Sequence, residues 1–236
     1  MTEALYLKDS YLQECEALVQ KVDGKYVVLD KTVFYAISGG QPWDEGKIIK
    51  DGEEYKVIFV KKSGDTISHE VDKEGLQEGD KVQCRIDWER RYQLMRSHSA
   101  ANVLAGVFCN ETKATITGGN LDLEKCRFDF SLEEFSRELI EELFKKANET
   151  IEKDLPIHVT FKPKKEALED KSLFKLEAKE YIEHLPEEVR IVDIENFDKQ
   201  ADGGTHVKSL KEIGKLTLGK ISNKGKKNRR VYFSID

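Results

Sequence analysis

Turn signals cut the first eighty-five or so residues into short β-rich runs, and this spacing limits the fold more than any other feature of the chain. Asp23-Gly24, Ser38-Gly39-Gly40, Asp51-Gly52, Ser63-Gly64-Asp65 and Glu78-Gly79-Asp80 punctuate the segment. Between them lie Tyr26-Val27-Val28-Leu29, Lys56-Val57-Ile58-Phe59-Val60 and Lys81-Val82-Gln83-Cys84-Arg85-Ile86. Short strands at such intervals predict a small β-barrel. Beyond Trp88 the pattern changes. Leu94, Met95, Ala101, Leu104, Ala105 and Phe108 place a helix over residues 88 to about 109. Ser131 and Glu134 read as a capping box for a second helix, whose apolar positions are Leu132, Phe135, Leu139, Leu143, Ala147 and Ile151. Strands are expected at residues 157–161 and 189–192, and a further pair should flank the Asn223-Lys224-Gly225 turn. The fold class is therefore α+β, with a barrel domain over residues 1–88 and a mixed domain over 89–236.

Composition excludes several classes. Charged residues make up 36% of the 236 and apolar ones 39%, with no run long enough to span a membrane. Met1-Thr2-Glu3-Ala4 lacks the basic-then-apolar character of a secretory leader, so a cytoplasmic protein is expected. Cys15, Cys84, Cys109 and Cys126 are scattered without metal-type or disulfide-type spacing and read as reduced core thiols. The Ser38-Gly39-Gly40-Gln41-Pro42 loop lacks the length and the lysine of a phosphate-binding loop, which argues against nucleotide binding.

Two polar segments about a hundred residues apart carry the chemistry. His98 and Asn102 stand four apart, a spacing that puts both side chains on one helix face. Asp202 and His206 are also four apart but enclose Gly203-Gly204, which points to a tight turn. Two half-sites from distant segments are a common route to one four-ligand metal centre. His69, His158 and His184 have no partner at ligand spacing and are not expected to bind metal.

At these residues the chain resembles the AlaX family, free-standing relatives of the editing domain of alanyl-tRNA synthetase. Thr32-Val33-Phe34-Tyr35 with Gly39-Gly40-Gln41-Pro42-Trp43-Asp44-Glu45-Gly46 is similar to the family's T-x-F-Y…G-G-Q-P-x-D-x-G signature. Asp87-Trp88-Glu89-Arg90-Arg91 leads into the His98 segment as that family's entry motif does. Lys125-Cys126-Arg127-Phe128-Asp129-Phe130, Gly203-Gly204-Thr205-His206 and the stretch from Lys224 to Tyr232 follow in order. The resemblance implies a translation-factor-like barrel followed by an editing domain. It also implies a deacylase acting on tRNA(Ala) that carries serine or glycine, with one zinc ion. The family's ligand pattern is H-x-x-x-H with C-x-x-x-H, and here Asn102 replaces a histidine and Asp202 the cysteine. A carboxylate is an ordinary zinc ligand, though a harder one. A neutral amide is a poor one, leaving three outcomes: an open position holding water, a weakened site, or no metal.

Ester hydrolysis needs polar groups beside the aminoacyl end. Ser99 and Thr117 are candidates to meet the serine hydroxyl or the ester, and both are equally suited to capping turns. The resemblance implies that the glycine-rich loop, and Gln41 within it, takes part in substrate recognition. The net charge is −6, yet residues 202–236 hold nine Lys or Arg against three acids, a balance of +6. Lys226, Lys227, Arg229 and Arg230 are the expected tRNA contacts, because such a local basic patch attracts phosphates even on an acidic protein. Two other functions fit the same residues: a non-catalytic module that binds the tRNA acceptor end, and a metal-dependent esterase for small substrates.

Overall fold

The computed structural model describes residues 1–175, 184–225 and 228–236, which form two compact units, Met1–Leu94 and Met95–Asp236. In the first unit the strands are β1 (Glu3–Ala4), β2 (Glu14–Asp23), β3 (Tyr26–Leu29), β4 (Lys31–Thr32), β5 (Gly46–Lys50), β6 (Glu53–Ser63), β7 (Thr66–Val71) and β8 (Lys81–Ile86). Strands β2-β3-β7-β6-β5-β8 close into a barrel, while β1 and β4 pair in parallel beside it. Closure leaves no unpaired edge. Alternate residues of β7 and β8 are buried, as a pleated strand with one face on a core requires. Val19, Val27, Leu29, Ile48, Val60 and Ile67 are among those that fill the interior. Asp51 and Gly52 both take positive φ, the geometry that two-residue hairpin loops favour, and they join β5 directly to β6.

The signature residues of this unit are chiefly structural. Arg91 and Asp44 are both fully buried and paired. The Arg91 guanidinium also donates to the carbonyls of Ser10 at 2.9 Å and Val33 at 2.6 Å. Asp44 in turn accepts from the Tyr35 N–H at 2.6 Å. Thr32 donates its hydroxyl proton to His69 Nε2 at 2.8 Å and accepts from the Phe34 N–H at 3.1 Å. His69 Nδ1 faces the Val27 carbonyl at 3.0 Å, so this histidine is a neutral core residue rather than a ligand.

Burial pushes the His69 pKa down to about 4. The unfolded chain then takes up a proton near pH 6.5 that the folded barrel refuses until about pH 4. Stability is complete above the unfolded value and falls as pH drops through this window. The loss should reach about 3 kcal/mol by pH 4, from about 2.5 pH units at about 1.4 kcal/mol each. Both tryptophans, Trp43 and Trp88, belong to this unit, so urea unfolding followed by their fluorescence reads it directly. His69→Gln, which cannot titrate, is expected to flatten the pH dependence. An equal slope in variant and wild type would refute the assignment.

The second unit takes up the rest of α1 (Trp88–Thr112) and continues with β9 (Ile116–Asn120), β10 (Cys126–Phe130), α2 (Arg137–Glu152) and β11 (Ile157–Pro163). Then come α3 (Lys164–Glu169), β12 (Glu188–Ile194), β13 (Asp198–Ala201), β14 (Leu216–Asn223) and β15 (Arg229–Ile235). Among the described residues the sheets are β14-β15-β10-β9 and β11-β12-β13. The architecture is α+β with an N-terminal barrel, as the sequence implied. No helix among the described residues is long and apolar enough to cross a membrane.

One expectation needs correcting. The second helix starts at Arg137, not near Ser131, and its cap is Ser136, whose hydroxyl accepts from the Leu139 N–H at 3.1 Å. Ser131 instead accepts from the Thr115 N–H at 2.9 Å, holding the approach to β9. Its hydroxyl is thus engaged across the sheet and cannot cap a helix.

Candidate metal and editing site

From Ser97 to Phe108, α1 is buried at every position. Such a helix has no solvent face for polar side chains, so each one inside it needs a partner. His98, Ser99 and Asn102 all find theirs in the segment from Asp202 to Val207. His98 Nε2 lies 3.1 Å from Asp202 Oδ2, and His206 Nε2 lies 3.3 Å from the same oxygen. The two imidazole rings sit 4.5 Å apart between centroids. Asn102 Nδ2 is 3.1 Å from Asp202 Oδ2 and 3.0 Å from His206 Nε2. Ser99 accepts from the Val207 N–H at 3.1 Å. All four proposed ligand positions are thus brought together, and Ser99 binds the backbone next to them.

The segment opposite α1 is itself held firmly. Arg190 on β12 accepts from the Asp202 N–H at 3.0 Å and donates from Nη1 to the Asp202 carbonyl at 2.9 Å. Asp202 Oδ1 accepts from the Gly204 N–H at 2.8 Å, which forms the turn and leaves Oδ2 for the site. His206 Nδ1 stands 3.2 Å from the Gly204 carbonyl and donates to it as the neutral tautomer, so the Nε2 lone pair faces inward. Gln200 on β13 donates to the Asn102 carbonyl at 3.1 Å, tying β13 to α1.

Electrostatics agree with this geometry. Burial alone would raise the Asp202 carboxyl, but the two imidazoles beside it outweigh burial and hold it well below the usual carboxylate range. Burial pushes His206 down to about 4 against the pull of Asp202. The site thus pairs a carboxylate with a neutral imidazole, the protonation states in which these groups bind metal.

The ligand atoms of His98, Asp202 and His206 lie within 4.8 Å of one another. Zinc bonds of about 2.0–2.1 Å give tetrahedral edges of about 3.3 Å, close to the nitrogen–oxygen separations of 3.1 and 3.3 Å. These three residues fit the ion. Asn102 fits less well, since the amide nitrogen it presents has no free lone pair; only its oxygen could serve as a ligand.

The other candidates have the following surroundings. Thr117 is exposed on β9, and its hydroxyl is 3.5 Å from Asn228 Oδ1. Gln41 is fully buried in the first unit, where its N–H closes the loop onto the Ser38 carbonyl at 2.9 Å. Arg230 forms a two-pronged pair with Asp129, both contacts at 2.8 Å. Arg229 donates to the carbonyls of Leu132 at 3.2 Å and Gly225 at 3.0 Å. Lys226 and Lys227 lie outside the described residues. Sequence reasoning missed Arg190 and Gln200, which no local spacing marks. Their roles arise only when β12 and β13 pair beside the turn.

Residues 3–90 match the family described as tRNA synthetases class II (A). Residues 189–232, which contain Asp202 and His206, match the threonyl and alanyl tRNA synthetase second additional domain. An alanyl-tRNA editing protein AlaX-M of Methanosarcina barkeri is 48% identical over all of this chain and 99% of its own length. One from Saccharolobus solfataricus is 42% identical over the same shares. An alanine–tRNA ligase of Pyrococcus abyssi is 36% identical over 92% of this chain but only 24% of the ligase. With such identity along its whole length, the chain belongs to the AlaX family of alanyl-tRNA editing proteins.

Proposed function

We propose that this protein acts in trans on tRNA(Ala) mischarged with serine, and also with glycine, hydrolysing the ester at the 3′-terminal ribose. The observation that supports it is the convergence of His98, Asp202 and His206 on one point, in a chain of this family. An apolar pocket shaped for alanine rejects a near-isostere by only about a hundredfold, so a second, hydrolytic site is needed. Water adds to the ester carbonyl, the bond to the ribose oxygen breaks, and the free amino acid and tRNA leave. A zinc ion held by His98, Asp202 and His206 would supply Lewis-acid or orienting assistance to the aminoacyl ester.

The chain's own residues prepare that site. His206 stays neutral with its Nε2 inward because Nδ1 is committed to Gly204. Ser99 acts by fixing Val207, and hence His206, against α1. Phosphate contacts are assigned to Lys226, Lys227, Arg229 and Arg230, with the exposed Lys215, Lys220 and Lys224 extending the same basic stretch. A metal-free variant of this reading rests on Asn102, whose amide bridges Asp202 and His206 as a cation would.

The test is deacylation of seryl-, glycyl- and alanyl-tRNA(Ala) by purified protein, with and without a chelator. Serine and glycine should be released, alanine spared, and chelator should slow the reaction. Rates no higher than buffer would leave a module that binds tRNA without editing it. Undiminished rates in chelator would favour the Asn102 bridge.

A further inference from the structure

Sequence spacing gives no hint that any two of the four cysteines meet, yet the barrel brings two of them together. Cys15 on β2 lies directly opposite Cys84 on β8 in the antiparallel ladder. Alternate residues of each strand, Ala17 and Val19 on one and Val82 and Ile86 on the other, are buried, and both cysteines belong to that inward set. Cys84 is fully buried, and Cys15 is half-buried against the same core. The two side chains therefore face the same interior from neighbouring strands.

The register also sets the strain. The Ile86 N–H donates to the Gln13 carbonyl at 3.0 Å, which makes that opposed pair the hydrogen-bonded kind. Two residues along, Cys15 and Cys84 are of the same kind, with Cα atoms about 5.5 Å apart. That separation is the commonest one for a disulfide. The Cβ atoms of such pairs, however, stand toward about 5.5 Å, beyond the 3.5–4.5 Å that the bond prefers. Joining them draws two ladder partners together, and a disulfide strained in this way is easily reduced again.

We propose that Cys15 and Cys84 are a reversible oxidation site, closed to a disulfide across the barrel seam by a hydroperoxide. The Cys15 thiolate attacks the peroxide oxygen, the O–O bond breaks, and a sulfenic acid forms as alcohol or water leaves. The Cys84 sulfur then attacks the Cys15 sulfur, expelling water as the S–S bond forms. Two thiols lose two electrons and the peroxide gains them. Cys15 is suited to begin because it is the more accessible. The Cys84 thiol and the Val33 backbone beside it favour the thiolate over the opposing effect of burial. Cys109 and Cys126 differ, since burial raises both thiols, Cys109 to about 11.

The test treats the whole protein with hydrogen peroxide, alkylates the remaining thiols after unfolding, and counts them by intact mass. Two of the four cysteines should escape alkylation, and digestion should yield one linked peptide pair that holds Cys15 and Cys84. Dithiothreitol should restore both. Cys84→Ala should stall Cys15 with added oxygen and no cross-link, whereas Cys109→Ser should behave as wild type. Four alkylated thiols after treatment, a link through Cys109 or Cys126, or a cross-link that resists dithiothreitol would overturn the proposal.

Discussion

Asp44→Ala is expected to destabilise the barrel unit by about 3–5 kcal/mol, the range seen when one partner of a buried ion pair is removed. Arg91 is wholly inaccessible and its guanidinium meets Asp44, Ser10 and Val33. Without the carboxylate, a full positive charge stays in the core with only two carbonyls to solvate it. The Tyr35 N–H loses its acceptor as well. Urea unfolding monitored by Trp43 and Trp88 measures the loss. The double replacement Asp44→Leu with Arg91→Met should recover much of it, because apolar isosteres remove both desolvated charges together. A single-variant loss below about 1 kcal/mol would mean that water reaches the pair, and the assignment of these signature residues to stability would fail.

His206→Ala is expected to lower seryl-tRNA deacylation by at least about a hundredfold, the size of loss that even outer partners of metal ligands can produce. The variant removes a nitrogen that is both 3.3 Å from Asp202 and the acceptor facing Asn102. Two ligands, His98 and Asp202, would remain, fewer than the three that catalytic zinc sites normally use. Zinc binding measured by calorimetry should therefore fall along with activity, while circular dichroism and the unfolding midpoint separate this from loss of fold. Activity within about threefold of wild type would remove His206 from the chemistry.

The legible parts of the chain were those whose signals are local. Asp51-Gly52 marks a hairpin because both positions need positive φ, and the Arg229–Ile235 strand shows its alternation directly. The His98 and Asp202 half-sites could be paired because each kept its four-residue spacing, and the fold brings them within contact. What stayed hidden depends on tertiary pairing. Ser131 has the residue types of a capping box, but its hydroxyl is claimed by Thr115 across the sheet. Arg230 reads as a free cation along the chain, and only the β10–β15 register, which sets Asp129 opposite it, shows that it is held. Cys15 and Cys84 are sixty-nine positions apart and meet only because the barrel closes.

The turn at Asp202 has an evolutionary consequence. One carboxylate does two jobs, with Oδ1 shaping the backbone through Gly204 and Oδ2 facing the imidazoles. Selection on folding and selection on the reaction therefore act on the same side chain and cannot be relaxed separately. A cysteine there, which the resemblance gives as the usual residue, would ask one sulfur to meet both the Gly204 N–H and the site, where Asp202 divides the two tasks between its oxygens. Exchanging one for the other changes the reach and direction of that acceptor, so the two residue types should be accompanied by different loop sequences.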